Sequence, residues 1–412
     1  MTLNSSTMSA DGKNILMIIP NLDFGGAQRS FCSLANGLYN RHNVYICVFN
    51  AFDGIAYDFQ PKVTDLGIPA GRTFFSKIYS LFLRYRSIYR LKKQLNIDTS
   101  ISYLEGANFL NVLTCRRDRL ILSVRGSKYH DPNIKGLTGY LRRKILIPVL
   151  YKFADTVVAL NKGIERELVQ RFGLNPERVK VIRNFYDIAL IENLSNQPLE
   201  NQYQFITESK YIMYSGRLAP EKGLKPVIDC FHHLLAKMPN LKLLMVGDGP
   251  IRSDLTHYAK MKGMMVSNGN EPLLQSAASQ IYFLGYQDNP YNFLKNASLL
   301  LIGSKSEGGP NILFEAMICG TLVISTDCPY GPREIIAGNL KKEVLETSYE
   351  GDHGVLLPML KDENNGEVRE WVLTVERYIN DVLKANRITA RAKKHASQYT
   401  AEKILPHWEK IV

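Results

Sequence analysis

The chain's 412 residues and 46.7 kDa are more than one ordinary hydrophobic core serves, so two domains are expected. Its 45% hydrophobic and 22% charged residues exclude a globally disordered chain. The net charge of +12 is one-sided, since residues 1–190 hold 27 Lys and Arg against 14 Asp and Glu while residues 191–412 hold 24 against 25; an anionic membrane surface, a nucleic acid or an acidic small molecule would each suit the first half.

Six cysteines (Cys32, Cys47, Cys115, Cys230, Cys319, Cys328) are scattered, with no C-x-x-C and no Cys/His cluster. They read as reduced thiols acting as small core hydrophobes in a cytoplasmic protein. Met1–Lys13 lacks an apolar signal core, and no run of about 18 apolar residues occurs, so no membrane-spanning helix is expected.

In chain order, Asn14–Pro20 is a continuous apolar run, read as a buried strand. The diglycine Gly25-Gly26 opens a helix whose face is Phe31, Leu34, Ala35 and Leu38, and Val44–Phe49 is a second strand. Two glycines let a backbone approach a ligand closely, but G-x-G-x-x-G and an acid closing the second strand are missing, which argues against NAD. From Phe74 to Leu95 the spacing predicts a helix with the apolar stripe Ile78, Leu81, Phe82, Tyr85, Ile88, Tyr89 and Leu91, surrounded by Lys77, Arg84, Arg86, Arg90, Lys92 and Lys93. Such a helix either lies in the headgroup layer of an anionic membrane or packs its stripe on a sheet. A second basic-apolar segment, Tyr140–Lys152, favours the membrane. Asp98–Tyr103, Leu120–Val124, Thr156–Asn161 and Val179–Asn184 read as further strands, with a helix over Lys162–Phe172. Glu105 and Arg125 follow strand ends, where a cleft would lie. No aromatic-plus-basic nucleic-acid motif is found.

Residues 188–209 read as a linker between a domain over 1–187 and one over 210–390, with 391–412 as a helix returning to the first domain. The second domain repeats the alternation: strand Tyr211–Ser215, helix Leu224–Lys237, strand Leu241–Val246, a helix from Ile251, strand Ile281–Leu284, and closing helices near Glu367–Lys384 and Ala401–Ile411. Residues 261–280 read as a surface insertion. Alternating strands and helices predict an α/β fold of two doubly wound, Rossmann-like domains.

The stretch from Ser304 to Gly320 follows the apolar run Ala297–Gly303 and is the chemical centre of the reading. Pro310 suits a first helical position and Gly320 the position past the end, which predicts a helix over Asn311–Cys319. Its unpaired first-turn N–H groups and its dipole suit a diphosphate. Glu307 precedes that helix and Glu315 lies one turn inside it. Arg217 and Lys222 follow the Tyr211–Ser215 strand, offering a fork of donors and a point charge to phosphate oxygens.

With Ser215-Gly216-Arg217-Leu218-x-x-Glu221-Lys222-Gly223, Val246-Gly247-Asp248-Gly249-Pro250, the Glu307/Glu315 pair and Ser325–Ile335 in that order, the chain resembles the retaining glycosyltransferases of family 4, which have the GT-B architecture of two domains facing across a cleft. The resemblance implies that Arg217 and Lys222 hold a donor diphosphate and Glu315 the ribose hydroxyls. It implies that Glu307 and the backbone of Gly308 and Gly309 meet the donor sugar, beside Asn311 and Ile312, with Gly25 and Gly26 closing from the other domain and the base near Gly285 and Tyr286. Arg217, Lys222 and Glu307 are the catalytic candidates. No metal or cofactor beyond the nucleotide sugar is implied. Many members carry a histidine where this chain reads Ser123-Val124-Arg125 and the nearest histidine is His130, so no catalytic base is assigned, and Glu105, Arg125 and His130 are the acceptor-side candidates. The expected reaction is retaining transfer of a hexose or N-acetylhexosamine, UDP-linked by likeness of the PYGPREI segment, to a lipid-linked glycan at the inner face of the cell membrane. The alternatives are a non-hydrolysing sugar-nucleotide epimerase on the same fold and a non-catalytic membrane-binding module.

Overall fold

The computed structural model describes residues 12–52, 54–129, 136–268, 279–338, 344–360 and 367–412. It divides into two compact units, Met1–Tyr186 with Tyr399–Val412, and Asp187–Gln398.

In the first unit β1 (Asn14–Ile19), β2 (Asn43–Val48), β3 (Lys62–Asp65), β4 (Thr99–Tyr103), β5 (Arg119–Val124), β6 (Thr156–Ala159) and β7 (Val179–Val181) form one parallel sheet in the order β3-β2-β1-β4-β5-β6-β7. β1 is covered on both faces. Ile15, Met17 and Ile19 meet Phe31, Leu34 and Leu38 of the Gly26–Tyr39 helix, while Leu16 and Ile18 join Ile88 and Leu110 on the other side. Burial on both faces is why β1 reads as an unbroken apolar run. The short, polar β3 gave no such signal.

The Phe74–Gln94 helix is present, capped by Thr73, whose side chain accepts from the Ser76 N–H. Its stripe is not used as a sheet-packing face would be. Only Ile88 and Lys92 are buried, while Phe74, Phe75, Ile78, Tyr79, Leu81, Phe82, Tyr85 and Tyr89 are exposed. Lys92, expected in the charged surround, instead lies one turn from Ile88 on the buried face. In the second basic segment Tyr140, Leu141, Ile145 and Val149 are exposed as well, as are Leu137 and Phe153 on either side of it. No helix among the described residues is long and apolar enough to cross a membrane.

In the second unit β8 (Tyr211–Ser215), β9 (Lys242–Val246), β10 (Val266–Ser267), β11 (Ile281–Gly285), β12 (Leu299–Ile302), β13 (Val323–Thr326), β14 (Tyr349–Glu350) and β15 (Val355–Leu357) make a sheet in the order β10-β11-β9-β8-β12-β13-β15-β14. It is parallel except for β14 against β15.

Three expected boundaries shift. The 188–209 linker holds the helix Ile188–Ser195, capped by Asp187, and a 3-10 stretch over Asn201–Glu208; Ile191, Tyr203 and Ile206 are buried, and the segment belongs to the second unit. Its polar residues mark the outer faces of short helices, not a tether. Within 261–280, β10 is an edge strand against β11 and residues 269–278 lie outside the described residues. The closing helices are three, Arg369–Asn380, Val382–Ala396 and Ala401–Glu409. The return to the first unit starts at Tyr399 rather than 391: Tyr186 N–H donates to the Tyr399 carbonyl (2.8 Å), and Trp408 is buried against the helix face of β1. All six cysteines are free and all but Cys115 are buried; burial pushes the Cys32 and Cys47 thiols up to about 12.

Candidate functional site

In the second sheet β8 lies between β9 and β12, so the order reverses beside β8. Open α/β sheets take ligands at the carboxyl ends of strands flanking such a reversal. The loops leaving β8 and β12 cross in contact there. A Cβ on Gly223, whose φ is +57°, would meet the Gly303 carbonyl oxygen at 2.1 Å, and one on Gly303 would meet the Gly223 oxygen at 2.5 Å. Any side chain at either position would push the loops apart. Lys305 N–H also donates to the Glu221 carbonyl, 3.0 Å.

That crossing brings together two candidates 85 positions apart: Lys222 Nζ donates to Glu307 Oε1 at 2.6 Å. Ser304 Oγ donates to the same oxygen at 2.7 Å, and Thr326 Oγ1 holds the Ser304 carbonyl at 2.5 Å. The side chains are 23% and 12% exposed, so the pair is half-buried but still accessible. Burial opposes the Lys222 charge, but Glu307 outweighs it and raises the ammonium pKa above its ordinary value. Arg217 is more open, paired with Glu221 at 2.5 Å. Burial disfavours the Glu221 carboxylate, yet its own N–H and Arg217 hold its pKa below the usual range.

The helix over Asn311–Cys319 forms as expected, and Gly320 ends it at φ +81°. Pro310 sits just before the helix, with ψ 112°, not in its first turn. Gly308, Gly309, Asn311 and Ile312 are half-buried at the helix start, whereas Glu315 is 4% exposed. Gly285 closes β11, its carbonyl accepting from Gly247 N–H at 2.7 Å, and Tyr286 beside it is exposed. Tyr330 was not singled out by sequence. It has φ +81°, unusual for a non-glycine, and lies beside Glu307 in a bridge, with Gly331 N–H on the Glu307 carbonyl at 3.2 Å. Arg333 pairs with Asp327 behind it. Among the described residues no three His, Cys, Asp or Glu side chains group as metal ligands would.

In the first unit Gly25 and Gly26 stand at the start of the first helix, where the Tyr57 hydroxyl accepts from Gly25 N–H (3.0 Å) and lies 3.1 Å from the Gly25 carbonyl. Glu105 opens the Glu105–Leu113 helix and pairs with Lys128; burial opposes its charge, and Lys128 still brings its pKa below the ordinary value. Arg125 has different partners: NH1 donates to Ser123 Oγ (3.2 Å), NH2 to Ser30 Oγ (3.0 Å) and to Asn184 Oδ1. His130 lies outside the described residues. Glu167, which sequence reasoning missed, is buried and accepts from Ser127 Oγ and Lys128 N–H, both at 2.6 Å, which fastens the loop after β5. A lone acid in a helix carries no signal for that.

Two family profiles match. The profile described as glycosyltransferase family 4 covers residues 24–190, and that described as glycosyl transferases group 1 covers residues 196–353. The chain belongs to the family 4 glycosyltransferases. This glycosyltransferase is 26% identical over 352 residues to an uncharacterized glycosyltransferase of Methanocaldococcus jannaschii, covering 81% of this chain and 84% of that protein. It is also 26% identical over 330 residues, 77% of this chain and 82% of the relative, to the Campylobacter jejuni N-acetylgalactosamine-N,N'-diacetylbacillosaminyl-diphospho-undecaprenol 4-alpha-N-acetylgalactosaminyltransferase. In fold it matches the Anabaena protein HepE, solved in complex with UDP and glucose, at a TM-score of 0.71 with 18% identity, over 97% of this chain and 98% of that one. The two Rossmann-like domains expected of a GT-B glycosyltransferase are therefore present.

Proposed function

We propose that this glycosyltransferase moves a hexose or N-acetylhexosamine, with retention, from a UDP-linked donor to a lipid-linked glycan. The observation that carries the reading is the half-buried, accessible Lys222–Glu307 pair at the strand-order reversal, beside the start of the Asn311–Cys319 helix. Lys222 and Arg217, with the helix N–H groups, would hold the diphosphate and take up the charge that grows on it as the bond from sugar C1 to the phosphate oxygen breaks. The acceptor hydroxyl oxygen bonds to C1 on the same face, and its proton passes to the departing phosphate oxygen. Side-chain cations then do the work a metal does elsewhere. Glu315 would accept from the ribose hydroxyls, Glu307 and the Gly308-Gly309 backbone would meet the sugar, and Gly285 and Tyr286 would flank the base. The UDP in the HepE structure and the diphospho-undecaprenol in the name of the Campylobacter relative favour this donor and acceptor class. The exposed apolar and basic faces over 74–90 and 137–153 would rest on an anionic membrane where such an acceptor is held.

A thermal-shift screen of UDP-, GDP-, ADP- and TDP-sugars tests the donor, and an exclusive response to a GDP-sugar would overturn it. Incubation of the stabilising sugar with a polyprenyl-diphosphate glycan tests the transfer. A product with the donor's anomeric configuration, formed equally well in EDTA, is expected; an inverted product or conversion of donor without acceptor would refute the reading.

A further inference from the structure

Arg125 is a cation without a counter-ion: among the described residues no carboxylate pairs with it. Its acceptors are two hydroxyls and an amide, its guanidinium carbon lies 4.8 Å from the Tyr103 ring centre, and its Nε is shielded from solvent with no hydrogen-bond partner. Burial pushes its pKa down, and the neighbouring Tyr103 and Tyr186 offset that only in part. A half-buried charge with only neutral partners is costly to keep unless a ligand completes it. Two of its neighbours, Ser30 and Asn184, together with Tyr103, line a small open pocket in the first unit that also takes in Ser33, Arg183 and Trp408; no acid lines it, and Arg125 stands behind the lining, bonded to Ser30 and Asn184. The free space is about that of one water molecule, so it accepts a single oxygen and not a whole group. The surrounding chain ends point the same way: Tyr103 closes β4, Arg125 follows β5 and Asn184 follows β7, all at carboxyl ends of the parallel sheet.

We propose that Ser30, Tyr103 and Asn184, with the Arg125 charge bonded behind them, form an anion subsite in the first unit that takes one phosphoryl or carboxylate oxygen of the acceptor. That the anion belongs to an acceptor rests on the transferase reading above; that an anion binds here does not. The subsite would select acceptors carrying negative charge near the receiving sugar and would hold them independently of the donor.

The full chain, saturated with UDP, is titrated with inorganic diphosphate and separately with glucuronate, with binding read by calorimetry; Lys222→Ala is titrated in parallel without UDP. One of the two anions is expected to bind the wild-type chain and Lys222→Ala alike, and the one that binds tells a phosphorylated acceptor from an acidic sugar. Arg125→Gln should raise Kd by about tenfold or more. Ser33→Asp, which places a carboxylate in the pocket lining and leaves Arg125 intact, should do the same and decides the matter if Arg125→Gln does not fold. No binding of either anion, or binding that Ser33→Asp leaves unchanged, would overturn the subsite. Binding lost in Lys222→Ala but kept in Ser33→Asp would place the anion in the second unit and also overturn it. Sugar transfer is measured separately, so its failure bears on the reaction and not on this pocket.

Discussion

Two lysine–carboxylate pairs, one in each unit, have nearly the same geometry and opposite settings. Lys92 meets Asp118 at 2.7 Å and Lys222 meets Glu307 at 2.6 Å. The first pair is 1% exposed on both sides and saturated: Lys92 Nζ also donates to Ser100 Oγ and to both oxygens of Asn111, and Asp118 accepts from Ser100 Oγ and Arg116 N–H. In the second, Glu307 is the sole hydrogen-bond acceptor of Lys222 among the described residues, which leaves two ammonium protons free to meet a ligand. A closed pair fastens helix to sheet, and an open one at a strand-order reversal is available for binding.

The largest effect expected from breaking this contrast is on stability in the first unit. Lys92→Met strands Asp118 in the interior and should cost about 3–5 kcal/mol, read by urea unfolding. Adding Asp118→Leu should recover most of it, because two apolar groups replace two charges. A single variant as stable as the wild type would show that the pair is not closed in solution. Lys222→Met should do the reverse, lowering sugar transfer about 10²–10³-fold while the unfolding midpoint falls much less than in Lys92→Met. Glu315→Ala should likewise abolish transfer in a folded protein. Full activity in either variant would remove the second pair's claim to a binding role.

Acid sharpens the contrast next. Burial tends to raise the Asp118 pKa, but Lys92 and Ser100 override it, so the folded value lies below the ordinary value of about 3.9. A depressed carboxylate contributes stability that is present above its unfolded pKa and lost as pH falls through the folded one. Lys222 is displaced upward, so its contribution is present below the unfolded lysine pKa and lost as pH rises through the folded value. Unfolding curves from pH 3 to 7 should therefore lose part of their acid slope in Asp118→Asn and keep it in Lys222→Met. Equal acid slopes in the wild type and Asp118→Asn would refute the assignment.

These pairs also mark how far the sequence could be read. The parallel strands were visible because burial on both faces makes β1 and β12 nearly continuous apolar runs, and β3 was missed because KVTD at an edge is not apolar. Lys222 and Glu307 were each legible, one after a strand and one before a helix. Their meeting was not, since it depends on Gly223 and Gly303 letting two loops touch. Lys92 was misplaced because periodicity reports the side of a helix, and a charge on the apolar side is indistinguishable from a surface charge until its partner, 26 residues on, is placed. Glu167 escaped for the same reason, as its partners lie about 40 positions away.

The smallest stability effect, and the clearest separation of function from folding, belongs to the exposed face of the Phe74–Gln94 helix. That helix contains no acidic residue, and its Phe75 and Ile78 side chains are 82% and 51% exposed. Arg84 is excluded from the test because it is tied to the Ile68 carbonyl and lies 4.6 Å over the Phe49 ring, so its loss would disturb packing. Arg86 and Arg90 are exposed. Phe75→Ser with Ile78→Ser should move stability by no more than about 0.5 kcal/mol, since neither side chain leaves a core. On anionic vesicles the same pair should weaken binding, and Arg86→Gln and Arg90→Gln should each cost about 1 kcal/mol of the electrostatic part, an effect that fades in salt. Transfer to a short, water-soluble acceptor should stay unchanged in all four substitutions. If vesicle binding were equally unchanged, the exposed face would have no membrane role; if stability fell by several kcal/mol, the face would be packed in solution, and the contrast between the two units would have to be redrawn.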